Sequence, residues 1–195
     1  MESVLCAIDF SPTTALVIRA GQILARAWGA RLIAFHAVHF AKDPLYATDL
    51  FDRRTRSRRL FEAAHRQLTE CMAPVDLAWE PVVVHGDPVE QLSALASTLD
   101  FSIVVTASQG IRPIERLFVG TVVERMVQKI PRPILIMHPS PAGLETPDLR
   151  LSRILVGCNL HPPTTPLETA CLLARHFESL CRRPVLRCYQ RFIQR

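Results

Sequence analysis

Phe101-Ser102-Ile103-Val104-Val105-Thr106-Ala107-Ser108-Gln109-Gly110 carries two patterns in one short stretch. Its first half is apolar but for Ser102, as expected of a strand buried on both faces, and its second half is mostly small residues. After nine further residues come Gly120 and Thr121, and Val122-Val123-Glu124-Arg125-Met126-Val127 then opens a helix. Strand, small-residue loop and helix in that order is where a parallel α/β fold binds phosphate. The helix N-terminus offers unbonded N–H groups and the positive end of a dipole, and small residues let an anion reach the backbone. Thr121 adds a hydroxyl donor at the same point.

The rest of the first 140 residues repeats this alternation. Strands are predicted at Val4 to Ile8, Leu32 to Val38, Leu77 to Val84, Phe101 to Val105 and Ile134 to Met137, with helical segments between them. Ser11 and Pro12 read as cap and first residue of the first helix, and a long second helix runs from near Asp49 to near Met72. Asp87-Pro88-Val89-Glu90 starts the third as N-cap, N1 proline and reciprocal glutamate. Pro81 interrupts the third strand and cannot donate to a ladder, so that strand belongs at a sheet edge. The expected fold is therefore an α/β three-layer sandwich, flavodoxin-like or adenine-nucleotide-hydrolase-like. It is an open five-stranded parallel sheet of order 3-2-1-4-5 with helices on both faces. In that order the ligand crevice opens between strands one and four, and Asp9 faces the Ala107 loop across its mouth.

Composition narrows the function. No window approaches the roughly 18 apolar residues of a membrane helix, and no basic-then-apolar leader opens the chain, so the expectation is a cytoplasmic protein with no membrane partner. The six cysteines (Cys6, Cys71, Cys158, Cys171, Cys181 and Cys188) lack metal or redox spacing and read as reduced thiols. A net charge of +5 suggests nucleic acid, but the 17 basic and 17 acidic side chains up to Ala174 cancel. The excess lies in Arg175, Arg182, Arg183, Arg187, Arg191 and Arg195, against Glu178 alone. The cluster Arg53, Arg54, Arg56, Arg58 and Arg59 has no interleaved aromatic ladder and reads as a solvated helix face, which argues against nucleic acid.

After Pro139 the chain reads as a linker over residues 140–152, with the domain occupying 1–139. Ile154-Leu155-Val156-Gly157-Cys158-Asn159-Leu160-His161-Pro162 can be laid on Val4-Leu5-Cys6-Ala7-Ile8-Asp9-Phe10-Ser11-Pro12. Residues 153–195 thus read as a partial second repeat, its first strand and helix, ending in a basic tail.

The motifs Ala7-Ile8-Asp9-Phe10-Ser11, Phe35-His36-Ala37-Val38, Val84-His85-Gly86-Asp87-Pro88, the small-residue loop and Arg132-Pro133-Ile134-Leu135-Ile136-Met137 occur in an order that resembles the universal stress protein family, in a tandem form with a truncated second domain. The resemblance implies a cytoplasmic, usually dimeric stress-response domain, some of whose relatives bind ATP. By resemblance, Asp9 bonds ribose or supports the loop, and Ala7, Ile8 and Ala37 border adenine. Gly110, Gly120, Thr121 and Val122 hold the phosphates of ATP, with Mg²⁺, and Thr106 and Ala107 complete the nucleotide site. The family pattern G-x-x-G, nine residues, G-[ST] is met at Gly110, Gly120 and Thr121, whereas Ala107 stands at the first glycine. A methyl there matters if the position needs positive φ or very close approach of a ligand. The fifth strand, Ile134, Leu135, Ile136 and Met137, is by the same resemblance the homodimer edge.

Two readings stay open: a regulatory adenine-nucleotide-binding domain, and a dimerisation or interaction module without nucleotide. Arg112 and Arg116 read equally as phosphate contacts or as solvated loop charges. No catalytic group is expected. There is no lysine after the loop as in G-K-[ST], although slow ATP hydrolysis stays open. A serine-hydrolase reading of Ser108 with Asp148 and His161 lacks the glycine that the strained elbow needs, since Thr106 stands there. His36 and His39, three apart on a strand, face opposite ways and hold no shared metal.

Overall fold

The computed structural model describes residues 3–38, 50–108, 121–138, 153–156, 173 and 185–188. The chain forms two compact units, Met1–Thr146 and Pro147–Arg195.

In the first unit, β1 (Ser3–Ala7), β2 (Arg31–Val38), β3 (Trp79–His85), β4 (Ile103–Ala107) and β5 (Ile134–Met137) form one sheet of order β3-β2-β1-β4-β5. Every pairing in it is parallel. The expected fold is the one observed, and Pro81 lies in edge strand β3 opposite Ala34 of β2. The strand β5 has the expected ends, and those of the other strands differ from expectation by at most two residues. The largest consequence is at β4, which runs on to Ala107 because Thr106 and Ala107 pair with Ile136 and Met137.

Alternation along the buried strands divides the core into two layers. Leu5, Ile33, Phe35 and Val104 face one way and pack with Phe101, Val89, Leu92 and Ala96, and with Met126 and Ile130. The helical partners in this layer are α3 (Pro88–Thr98) and α4 (Thr121–Lys129). Val4, Cys6 and Leu32 face the opposite way, toward α1 (Thr14–Trp28). There Gly21 permits a very close approach: a Cβ on it would overlap the Cys6 Sγ and stand 3.3 Å from Leu32 Cδ2. The same packing makes Cys6 inert, since burial pushes its thiol up to about 12. Cys6 and Cys71 are free thiols. The helix α2 (Leu50–Met72) packs on β2, β3 and α1, with Leu68 and Met72 buried.

The first helix begins later than Ser11 and Pro12 suggest. The Asp9 carboxylate accepts the Ser11 N–H at 3.0 Å, and the Ser11 carbonyl accepts from the Thr14 N–H at 3.0 Å. This turn places the N-cap at Thr13, whose side chain makes no cap bond. The start of α3 is as expected, with Asp87 Oδ1 accepting from the Val89 and Glu90 N–H groups at 3.0 and 3.2 Å. The reciprocal glutamate is the exception: Glu90 turns outward to Arg125 and Lys129 of α4.

In the second unit β6 (Arg153–Val156) pairs in parallel with β7 (Val185–Cys188), Arg153 opposite Val185 and Val156 opposite Cys188. The strand β6 overlaps the first strand expected of the repeat. The strand β7 falls in what reads as a basic tail and was not expected.

Candidate functional site: a crevice at the switch point of the sheet

A five-stranded sheet in this order reverses its winding between β1 and β4, so the segments leaving their carboxyl ends diverge to opposite faces and leave a gap. A cavity of about 440 Å³ occupies that position. Its floor is built by strand ends: Ala7 with Ile8 and Asp9, Phe35 with His36 and Ala37, and Thr106 with Ala107. One wall is Thr13 and Val17 from the α1 layer; the other is Pro88 of α3 with Val122, Val123 and Met126 of α4. The size fits a small organic ligand, and an apolar wall with few polar groups is the usual composition of such a site.

Seven of the residues singled out from the sequence meet here: Ala7, Ile8, Asp9, Ala37, Thr106, Ala107 and Val122. Thr121 is the first residue of α4. Gly110 and Gly120 lie outside the described residues, as do Arg112, Arg116, His39, Asp148 and His161. Sequence reasoning missed Thr13, Val17, Phe35, His36, Pro88, Val123 and Met126. Phe35 and His36 were within reach of it, because they precede Ala37 on the strand that borders β1.

The structure answers one half of the question about Ala107. Among the described non-glycine residues only Phe10 has positive φ, at 59°. Ala107 is ordinary extended backbone paired with Met137, so its methyl carries no backbone strain and acts only by the space it fills in the cavity.

The polar groups of the crevice are held by local bonds. Asp9 is engaged by the Ser11 N–H, and Ser11 Oγ lies 2.7 Å from Thr13 Oγ1. His36 Nδ1 lies 2.8 Å from the Ile8 carbonyl oxygen, and the Phe10 ring covers the imidazole with centroids 4.2 Å apart. Beyond β4, Ser108 is 3% exposed, its N–H donates to Met137 O at 2.9 Å, and its hydroxyl bonds His138 Nδ1. Ser108 thus continues the strand and has none of the positive φ of a nucleophile elbow. Among the described residues no group of three or more His, Cys, Asp or Glu side chains could hold a metal ion.

The wall formed by α3 and α4 is tied from outside. Arg125 donates to both Asp87 oxygens, at 2.9 and 3.0 Å, and to Glu90 at 3.4 Å, while Lys129 also reaches Glu90. The Arg125 guanidinium, helped by the two backbone N–H groups, holds the Asp87 carboxyl at about 2. Asp87 therefore caps α3 and fastens it to α4 with one carboxylate.

Sheet order, layers and crevice define the class: a three-layer α/β domain with a cavity at its topological switch point. Residues 1–138 match the universal stress protein family. The chain therefore belongs to that family. It is 27% identical over 138 residues to a curated universal stress protein of Thermus aquaticus, encoded in the 3' region of a QAH/OAS sulfhydrylase, covering 70% of this chain and 98% of that one. Among solved structures, the hypothetical protein MJ0577 is 17% identical, with 72% of this chain and 97% of that chain covered at a TM-score of 0.52. That likeness concerns the fold alone. A universal stress protein from Archaeoglobus fulgidus, solved in complex with dAMP, covers 70% of this chain and 97% of that one, at 15% identity and a TM-score of 0.48. Its ligand is a fact about that protein. Among the described residues no helix is long and apolar enough to cross a membrane.

Proposed function

We propose that the first unit is a stress-response domain that binds ATP or a related adenine nucleotide, with Mg²⁺, in a regulatory role. The observation that carries this reading is the convergence of Ala7, Asp9, Ala37, Ala107 and Val122 from β1, β2, β4 and α4 on one cavity at the switch point. In this reading the base lies against Ala7, Ile8 and Ala37, Asp9 meets the ribose, and the phosphates lie toward Thr121 and Val122 at the N-terminus of α4. The dipole and first N–H groups of that helix favour negative charge. Gly110 and Gly120 complete the loop by family pattern. The domain acts by binding rather than chemistry. Asp9 is assigned to the ribose and the Ser108 hydroxyl is 3% exposed, so this reading gives neither of them a part in hydrolysis. Its setting is the cytoplasm, where thiols such as Cys6 and Cys71 stay reduced.

Calorimetric titration of the full chain with ATP and Mg²⁺ tests this. Saturable binding that Val122→Asp abolishes, by placing a carboxylate at the phosphate end, is the expected result. No heat and no displacement of a fluorescent adenine nucleotide at millimolar concentration would remove the reading.

A second reading, dimerisation as the main role, is favoured by β5. It is an edge strand made of Ile134, Leu135, Ile136 and Met137, all four half-buried. An apolar edge strand is a template for a second copy. Light scattering on the parent and on Ile136→Lys decides it: a dimer converted to a monomer supports the interface, and a monomeric parent ends it.

A further inference from the structure

We infer that His36 reads the base in this crevice and selects a purine carrying an amino group at C6 over one carrying a carbonyl. The inference rests on the adenine-nucleotide reading above and adds a specificity residue that neither the family pattern nor the sequence singled out. Its starting point is an accounting of the two ring nitrogens. A carbonyl oxygen only accepts, so the 2.8 Å contact between His36 Nδ1 and Ile8 O requires the hydrogen to sit on Nδ1. In the neutral ring, Nε2 is then left with a lone pair. Among the described residues no hydrogen bond engages Nε2, and His36 lines the cavity beside Ile8 and Ala37, at the end where the base is placed.

The ring is also held in orientation. Phe10 covers it at a centroid distance of 4.2 Å and an interplanar angle of 36°. To do so Phe10 adopts φ 59°, a region that bulky side chains rarely enter. Such outliers persist where the surroundings over-determine them and collect at functional sites. Asp9, immediately before, is fixed by the Ser11 N–H, so the turn that strains Phe10 also sets Asp9. One short segment thereby fixes two residues that line the same cavity, Asp9 directly and His36 of β2 through the Phe10 ring.

An acceptor at that position discriminates. The 6-amino group of adenine can donate to Nε2. The 6-carbonyl of hypoxanthine would present a lone pair to a lone pair, and the ring cannot relieve this by moving its hydrogen to Nε2 without losing the bond to Ile8 O. Binding the wrong base leaves an acceptor unmatched on each side, while the right base makes one net hydrogen bond. Together these correspond to about a tenfold difference in affinity at a half-buried site.

The experiment compares ATP with inosine 5′-triphosphate on the full chain by calorimetry, for the parent and for His36→Phe. Phenylalanine keeps the stacking on Phe10 and removes both nitrogens. In parallel, the imidazole ¹⁵N spectrum of the parent is recorded with each nucleotide, a readout that needs no variant to fold. The expected result is about tenfold tighter binding of ATP by the parent, collapse of that preference in His36→Phe, and an Nε2 resonance that moves with ATP and not with the inosine nucleotide. Equal affinities in the parent, a preference that survives His36→Phe, or an Nε2 resonance indifferent to ATP would overturn the inference and leave nucleotide binding standing. Binding of neither nucleotide would overturn both together.

Discussion

The two helices that wall the crevice are held by different forces. On one side α1 is packed: Thr14, Leu16, Val17, Ile18, Ala20, Gly21, Leu24 and Ala25 are all buried, and Gly21 draws the backbone down onto Cys6. On the other side α4 buries Val123 and Met126, with Ile130 following, and leaves Val122 and Val127 41% and 56% exposed. Its outer flank is tied by Arg125 and Lys129 to Asp87 and Glu90 of α3. Close packing is indifferent to pH and salt, and ion pairs at half-exposed positions are not. The α1 wall is therefore a fixed surface, and the α4 wall, which carries the proposed phosphate end, is the one that conditions can shift.

The largest effect is expected from disturbing the packed side. Gly21→Ala puts a methyl where the Cys6 Sγ stands, with Leu32 Cδ2 closing the remaining space, and overpacking of this kind costs about 2 kcal/mol. Urea denaturation should show that loss as a lower midpoint with an unchanged slope. Adding Cys6→Ala should recover more than half of it, because the two sites compete for one volume. A loss that persists undiminished in the double variant would mean that the helix is not held down at this point.

The tied side should yield less, and in a pH-dependent way. Asp87→Ala removes the α3 cap and the partner of Arg125, a loss of about 1–2 kcal/mol at neutral pH for a capped helix start. Because Arg125 and the cap bonds hold Asp87 at about 2, below its ordinary 3.8, its contribution is present above about 4. It disappears as the pH falls through about 2. The stability gap between parent and Asp87→Ala should close over that window. A gap that stays constant down to pH 2 would show that the carboxylate charge is not what fastens α3 to α4.

The same contrast marks what the sequence could tell. Pro81 put β3 at the edge, Asp87 and Pro88 gave the start of α3, and alternation with short apolar runs led to the sheet order, because each rests on rules acting within a few residues. Asp9 and Ala107 followed once that order set β1 beside β4, and the family resemblance supplied Ala7, Ile8, Ala37, Thr106 and Val122. What failed was decided by competing bonds, local at Asp9 and long-range at Ala107 and His36. Ser11-Pro12 looks like a helix start, yet the Asp9 turn uses the Ser11 N–H and moves the helix to Thr14. Ala107 looks like loop, yet pairing with Met137 of β5 makes it strand. His36, read from the sequence only as facing away from His39, has its ring fixed by Ile8 and Phe10.

That revised place for Ala107 sets the smallest and sharpest of these expectations. Read as a glycine-deficient loop, the site would be degenerate, and Ala107→Gly would restore nucleotide binding. In extended backbone with no positive φ, an alanine suffers no strain that glycine could release. Glycine in a strand instead costs conformational entropy and packing, so Ala107→Gly should lower stability by about 0.5–1 kcal/mol. Its effect on affinity is limited to the methyl that faces the cavity, which has about 440 Å³ to share with a ligand. Titration of the variant with ATP should therefore fall within about threefold of the parent, less than 1 kcal/mol. A gain of a hundredfold would mean that the phosphate loop needs closer backbone approach at this strand end than an alanine permits. The missing glycine would then be the residue that silences the site.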